Sequence, residues 1–152
     1  FVAFPAQAGA GLPGDAEALK GVEEGRLLWD VTEAEAISLN NWLTVILDTY
    51  EGLERQEVTP HMVLVFRGSA VRLLAKELED VPFGQVGLIA EVHDQIRRLG
   101  RLPRVRVEAC NLSLRRQGME DTPLVAEVKP VTNAFIAIAG YNAKGYARIP
   151  VQ

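Results

Sequence analysis

The apolar positions change period along the chain, and each change marks an element. GRLLWDVT (25 to 32) is a short apolar run closed by polar residues and predicts a first strand. Between Glu33 and Glu54, residues Leu39, Trp42, Leu43, Ile46, Leu47, Tyr50 and Leu53 recur at helical spacing, the stripe of an amphipathic helix. Thr32 stands at its N-cap position, and Glu35 three residues on predicts a capping box. MVLVF (62 to 66) is unbroken, as expected of a parallel strand buried on both faces. Arg67-Gly68-Ser69 follows, with Ser69 the expected cap of a helix carrying Val71, Leu73, Leu74 and Leu78. A further helix is predicted from about Gln85 to Leu99, with Val86, Ile89, Ala90, Val92 and Ile96 inward and Gly100 as its C-cap.

VRVEA (105 to 109) predicts a third strand, followed by a short helix from about Leu112, capped by Asn111 and closed at Gly118. LVAEV (124 to 128) predicts a weaker fourth strand broken at Pro130. TNAFIAIAGYN (132 to 142) fits a buried strand or a buried helix by period alone; its alanines and the caps offered by Thr132 or Asn133 favour helix. YARI (146 to 149) is the last strand. Strands alternating with helices predict an α/β fold, a three-layer α/β/α sandwich on a mostly parallel five-stranded sheet.

With 152 residues, 48% of them hydrophobic, the chain suits a single domain over residues 25 to 152. Residues 1 to 24 form a Gly- and Pro-interrupted arm. Within it, Ala6-Gln7-Ala8 before Gly9 has the small-x-small form of a signal-peptide remnant, competing with a plain flexible arm. A net charge of −4 gives no general attraction to nucleic acid or anionic lipid. No apolar run reaches the roughly 18 residues of a membrane span. One cysteine cannot close a disulfide within the chain, and with only His61 and His93 beside it an ordinary zinc site is not expected. Nothing in the pattern asks for a metal or an organic cofactor. His61 is expected at the surface, at a strand entrance, and His93 on a helix among charges.

Chemistry concentrates on Cys110, which ends the third strand. Ligands and reactive groups of open parallel sheets gather beyond the strand carboxyl ends, where helix N-termini begin. A helix N-terminus or a nearby cation lowers a thiol pKa, and Arg106, Arg115 and Arg116 are close in sequence. Glu108 shares the Cys110 face by strand alternation, and its charge would raise that pKa. A lone cysteine at a strand end is also a common core filler, so the residue type leaves both readings open.

The blocks LLWDVTEAE, SLNNWLTVILDTY, MVLVFRGSAVRLL, VRVEACNLSLRRQGM and VTNAFIAIAGYNAKGYARIPV together resemble the DsrE/DsrF-like family of sulfur-relay proteins, across residues 25 to 152. The resemblance implies a parallel-sheet α/β/α sandwich assembled as a homo-oligomer, a trimer or hexamer. It implies that Cys110 carries sulfane sulfur as a persulfide, exchanged with sulfur donor and acceptor proteins or small thiols. Arg67-Gly68 stands where the family often has a His-Gly pair. An always-charged guanidinium there stabilises an anion but cannot shuttle protons. Asn111, as a helix cap at the thiol, and Asn133 and Tyr141, on recurrent family positions, complete the expected anion-binding set with Arg67 and Gly68. Branches of the family with similar Arg-Gly blocks carry secretion signals, which implies a periplasmic protein, with the cytoplasm as the alternative. The competing functional reading is a non-catalytic oligomeric binding module of the same fold, for a small anion or a protein partner.

Overall fold

The structure is a computed structural model, and it describes residues 11–77 and 79–152. The expectations for Ala6 to Ala8 and for Leu78 lie outside the described residues. In chain order the elements are β1 (Glu24–Val31), α1 (Ala36–Arg55), β2 (Thr59–Phe66), a 3-10 helix (Gly68–Leu74), α2 (Phe83–Gly100), β3 (Val105–Cys110), α3 (Asn111–Arg116), β4 (Val128–Val131), α4 (Ala134–Ala143) and β5 (Ala147–Val151). The five strands form one sheet in the order β4-β3-β2-β1-β5, every pair parallel. This is the α/β sandwich read from the sequence, with helices on both faces but unequally.

On one face Trp29, Val31, Met62, Leu64, Phe66 and Val107 pack against Leu39, Leu43 and Ile46 of α1 and Val92 and Ile96 of α2. The opposite face buries the alternate residues Leu28, Val63, Val65 and Cys110 under α4, through Ala134, Ile138 and Tyr141. Central strands covered on both sides explain the unbroken MVLVF run. Because β4 and β5 are the two edges of the sheet, the connection through α4 crosses the second face, with the first residue of that helix at Cys110 and its body over β2 and β1. No helix among the described residues is long and apolar enough to cross a membrane.

Several local expectations are corrected, each because a distant segment captured the residue. Thr32 does not cap α1, which begins at Ala36 after Glu35; its N–H donates to the Val151 carbonyl at 2.9 Å, continuing the pairing beside β5. Ser69 does not cap an α-helix either. The segment is a 3-10 helix whose N-cap is Arg67, with Gly68 at φ +61°, a conformation that favours glycine. LVAEV is not a strand: Leu124 bridges Ala75 and the Val125 N–H donates to the Leu74 carbonyl, while β4 starts at Val128 and contains Pro130, which an edge strand tolerates. Gly100 is the last residue of α2, not its C-cap, and a side chain there would meet the Glu127 Cβ at 2.8 Å. The stripe of α2 runs through Ile89, Val92, His93, Ile96 and Leu99, leaving Val86 and Ala90 exposed. Helix α4 is a helix as expected, but not a buried one: Phe135 and Ile136 are 62% and 64% exposed.

His93 is buried, not set among surface charges, with its Nε2 2.9 Å from the Leu73 carbonyl. Burial holds its pKa below the ordinary 6.5, against the opposing pull of that carbonyl. The unfolded chain therefore takes up a proton before the folded one does, so this contribution to stability is complete above about pH 6.5 and declines as pH falls toward the folded value. Denaturant titrations at about pH 7.5 and pH 5.5 will show lower stability at the acid end, and His93→Gln will flatten the difference. An unchanged pH slope in that variant would show that His93 does not carry it.

Candidate functional site

Strand β3 passes into α3 with no intervening loop, so Cys110 is itself the N-cap of α3 and Asn111 is its first residue, not its cap. Cys110 is 3% exposed, and its Sγ accepts a hydrogen bond from the Ala134 N–H, the first of α4, at 3.3 Å. Burial pushes the thiol pKa up. The Ser113 hydroxyl and the N–H groups of Ala134, Ser113 and Leu112 outweigh that burial, and the pKa lies below the ordinary thiol value. Two helix N-termini thus converge on one sulfur, α3 from the same chain turn and α4 from across the sheet. Ser113 is itself oriented: the Gly68 N–H donates to its Oγ at 2.8 Å, which leaves its proton free for the sulfur.

Arg67 extends from the end of β2 toward the same region. Its Nε and Nη2 donate to the two carboxylate oxygens of Asp30 at 2.7 and 3.1 Å, and its guanidinium stacks over Phe135 at 5.3 Å from the ring centre. Asp30 holds the Arg67 proton most strongly, and the negative charge of the Cys110 thiolate adds to that hold, so guanidinium and sulfur interact electrostatically. Arg148 from β5 donates to the second oxygen of Asp30 from the other side. The buried Asp30 carboxylate thus lies between two arginines, of which Arg67 is the one that reaches toward the thiol.

Of the residues expected at the site, Cys110, Arg67 and Gly68 come together. Asn133 caps α4, accepting the Phe135 N–H at 2.9 Å, and so sets the start of the helix whose first N–H reaches the sulfur. Tyr141 donates to Glu108 Oε2 at 3.0 Å and meets Tyr146 edge-on. Glu108 is not among the groups that shift the thiol; its carboxylate is held by Tyr141 and by Arg106 at 3.3 Å. Arg115 and Arg116 are exposed. Sequence reasoning missed Asp30, Ser113 and Arg148. Asp30 had a signal, a lone charge inside LLWDV; Ser113 lies one helical turn beyond Cys110; Arg148 joins only through the β1·β5 pairing.

Removing the Ser113 hydroxyl tests its share. A hydrogen bond to a charged group contributes about 1.5–3 kcal/mol, roughly one to two pKa units. Ser113→Ala will raise the Cys110 pKa by about one unit, measured from the thiolate ultraviolet absorbance against pH. A pKa unmoved by the substitution would remove Ser113 from the account.

No family model matches the chain. A curated relative, an uncharacterized protein of Aquifex aeolicus (strain VF5), is 24% identical over 120 residues, which is 79% of this chain and 52% of that protein. The chain therefore spans about half the length of the relative. Among solved structures it resembles MTH1491 of Methanobacterium thermoautotrophicum, a protein of unknown function, with a TM-score of 0.61 at 20% identity over 84% of this chain and 99% of that one. It also resembles the YchN protein of E. coli, with a TM-score of 0.60 at 16% identity over 83% and 98%. The fold is DsrE/YchN-like. At these identities the likeness carries the architecture alone.

Proposed function

We propose that this protein is a sulfur carrier in which Cys110 holds sulfane sulfur as a persulfide. The observation that supports the reading best is the convergence on one sulfur of the Ser113 hydroxyl and the N–H groups of Ala134, Ser113 and Leu112. Each group favours a sulfur anion over a neutral thiol. In the loading step the thiolate attacks the outer sulfur of a donor such as thiosulfate. A new S–S bond forms at Cys110, the donor S–S bond breaks, and its electron pair leaves with sulfite. No oxidant is needed, and Arg67 faces the persulfide anion that results. Unloading reverses the geometry, an acceptor thiolate taking the terminal sulfur and returning Cys110 as thiolate. The acceptor belongs to another molecule, and further copies of this chain are expected to cover Phe135 and Ile136.

One observation favours the competing reading, a non-catalytic binding module: Sγ is enclosed beneath the first turn of α4. Sulfur uptake requires that turn to open. Incubation with thiosulfate or polysulfide followed by intact mass measurement separates the two. The carrier gains whole-sulfur increments that a reductant removes. A chain that gains none, beside a carrier control that does, is not a sulfur carrier.

A further inference from the structure

A cavity of about 440 Å³ opens between β3, β4 and α4, lined by Glu108, Val131, Thr132, Ile136, Tyr141 and Lys144 among others. Its wall includes a charge that the fold does not fully satisfy. Glu108 is 3% exposed, and its Oε2 accepts from both Tyr141 and Arg106, yet Oε1 is shielded from solvent and has no hydrogen-bond partner among the described residues. An unpaired buried acceptor costs about 1–3 kcal/mol, and more when it is charged. The Tyr141 hydroxyl is held protonated by burial and by Glu108, so it acts there as a donor only. Arg106 is more than half exposed, so a cation arriving at Glu108 competes with a solvated arginine and not with an enclosed one. Lys144 stands on the same rim, its Nζ 5.7 Å from the Tyr141 ring centre. The lining thus combines an enclosed carboxylate, an apolar wall from Val131, Ile136 and Ala137, and an exposed cation at the edge.

We propose that this cavity binds a small amino-acid zwitterion, its ammonium on Glu108 and its carboxylate toward Lys144. The volume admits such a molecule with room for a larger side chain, since small-molecule pockets span about 300–1,000 Å³. The cavity adjoins the sulfur site, sharing Asn133 and Tyr141 with it, but the proposal does not rest on the persulfide reading and stands whether or not Cys110 carries sulfur. The test uses three probes with the unmodified chain: L-alanine, ethylamine and propionate, each titrated while amide and tyrosine NMR signals are followed. L-alanine and ethylamine will give saturable shifts at α4 and β3, L-alanine the tighter, and propionate none. Glu108→Gln, which keeps the Tyr141 contact and the side-chain volume, will weaken both amines at least about tenfold. Lys144→Met, at an exposed position, will bring L-alanine down to the level of ethylamine. The proposal is overturned if neither amine shifts the signals, if propionate binds as well as L-alanine, or if folded Glu108→Gln binds the amines unchanged.

Discussion

Cys110→Ser will fold and take up no sulfur. Serine differs from cysteine by one atom, and at this position its hydroxyl inherits a donor in the Ala134 N–H and a neighbour in the Ser113 hydroxyl. The buried oxygen is therefore not left unpaired, and stability will fall by no more than about 2 kcal/mol. Sulfur uptake will vanish completely, because no other cysteine is present and a hydroxyl does not form the S–S bond. Iodoacetamide gives a second readout on the wild type. A thiol with a lowered pKa reacts in proportion to its thiolate fraction, but burial under α4 limits access to the fraction of time the first turn is open. Alkylation will therefore be slower than that of a free thiol and will still rise with pH below the ordinary thiol value. Reaction that stays negligible at every pH short of unfolding would mark Cys110 as inert core, and persistent sulfur uptake by the serine variant would remove the cysteine from the chemistry altogether.

The double variant Arg67→Ala with Arg148→Ala will lose about 3 kcal/mol of stability, more than the two single variants combined. Burial raises the Asp30 pKa, and the two arginines overcome it, so the carboxylate sits below its ordinary 3.8. In the wild type this lowered pKa contributes stability that is present above about pH 3.8 and lost as the pH falls toward the lower folded value. Either arginine alone leaves Asp30 one ion pair. Without both, a fully buried carboxylate keeps only its desolvation penalty, and its pKa will move above the ordinary value. NMR titration of the Asp30 carboxyl reads that reversal directly, and denaturant unfolding gives the stability. If Asp30 still titrates below 3.8 in the double variant, the arginines are not what holds its charge.

The same residues show how far a sequence can be read. Alternation and helical spacing place β1, α1, β2, α2 and β3 to within a few residues, because one face of each is buried and burial imposes a period. The errors fall on residues whose partners are distant. Thr32 reads as a helix cap until β5 presents the Val151 carbonyl, and Gly100 reads as a C-cap until Glu127 packs against it. LVAEV reads as a strand from its apolar content, but Leu124 and Val125 pair with the end of the 3-10 helix and only Val128 enters β4.

For the site, Cys110 at a strand end follows from local pattern, its association with Arg67-Gly68 is implied by the family resemblance, and the adjacency of β2 and β3 is decided by the sheet. Local pattern also dictates that α3 begins beside the sulfur, since strand and helix are contiguous in the chain. What depends on tertiary structure is which charges the sulfur feels. Glu108, two residues away, is drawn off by Tyr141 from α4, while Ala134, 24 residues away, donates to the sulfur because α4 crosses the face from one sheet edge to the other. Asp30 and Arg148 meet Arg67 through strand pairings that no sequence neighbour announces. Hydrogen bonds and ion pairs act over a few ångströms. A residue's chemistry is therefore set by what lies within that distance in space, and the chain order records only part of it.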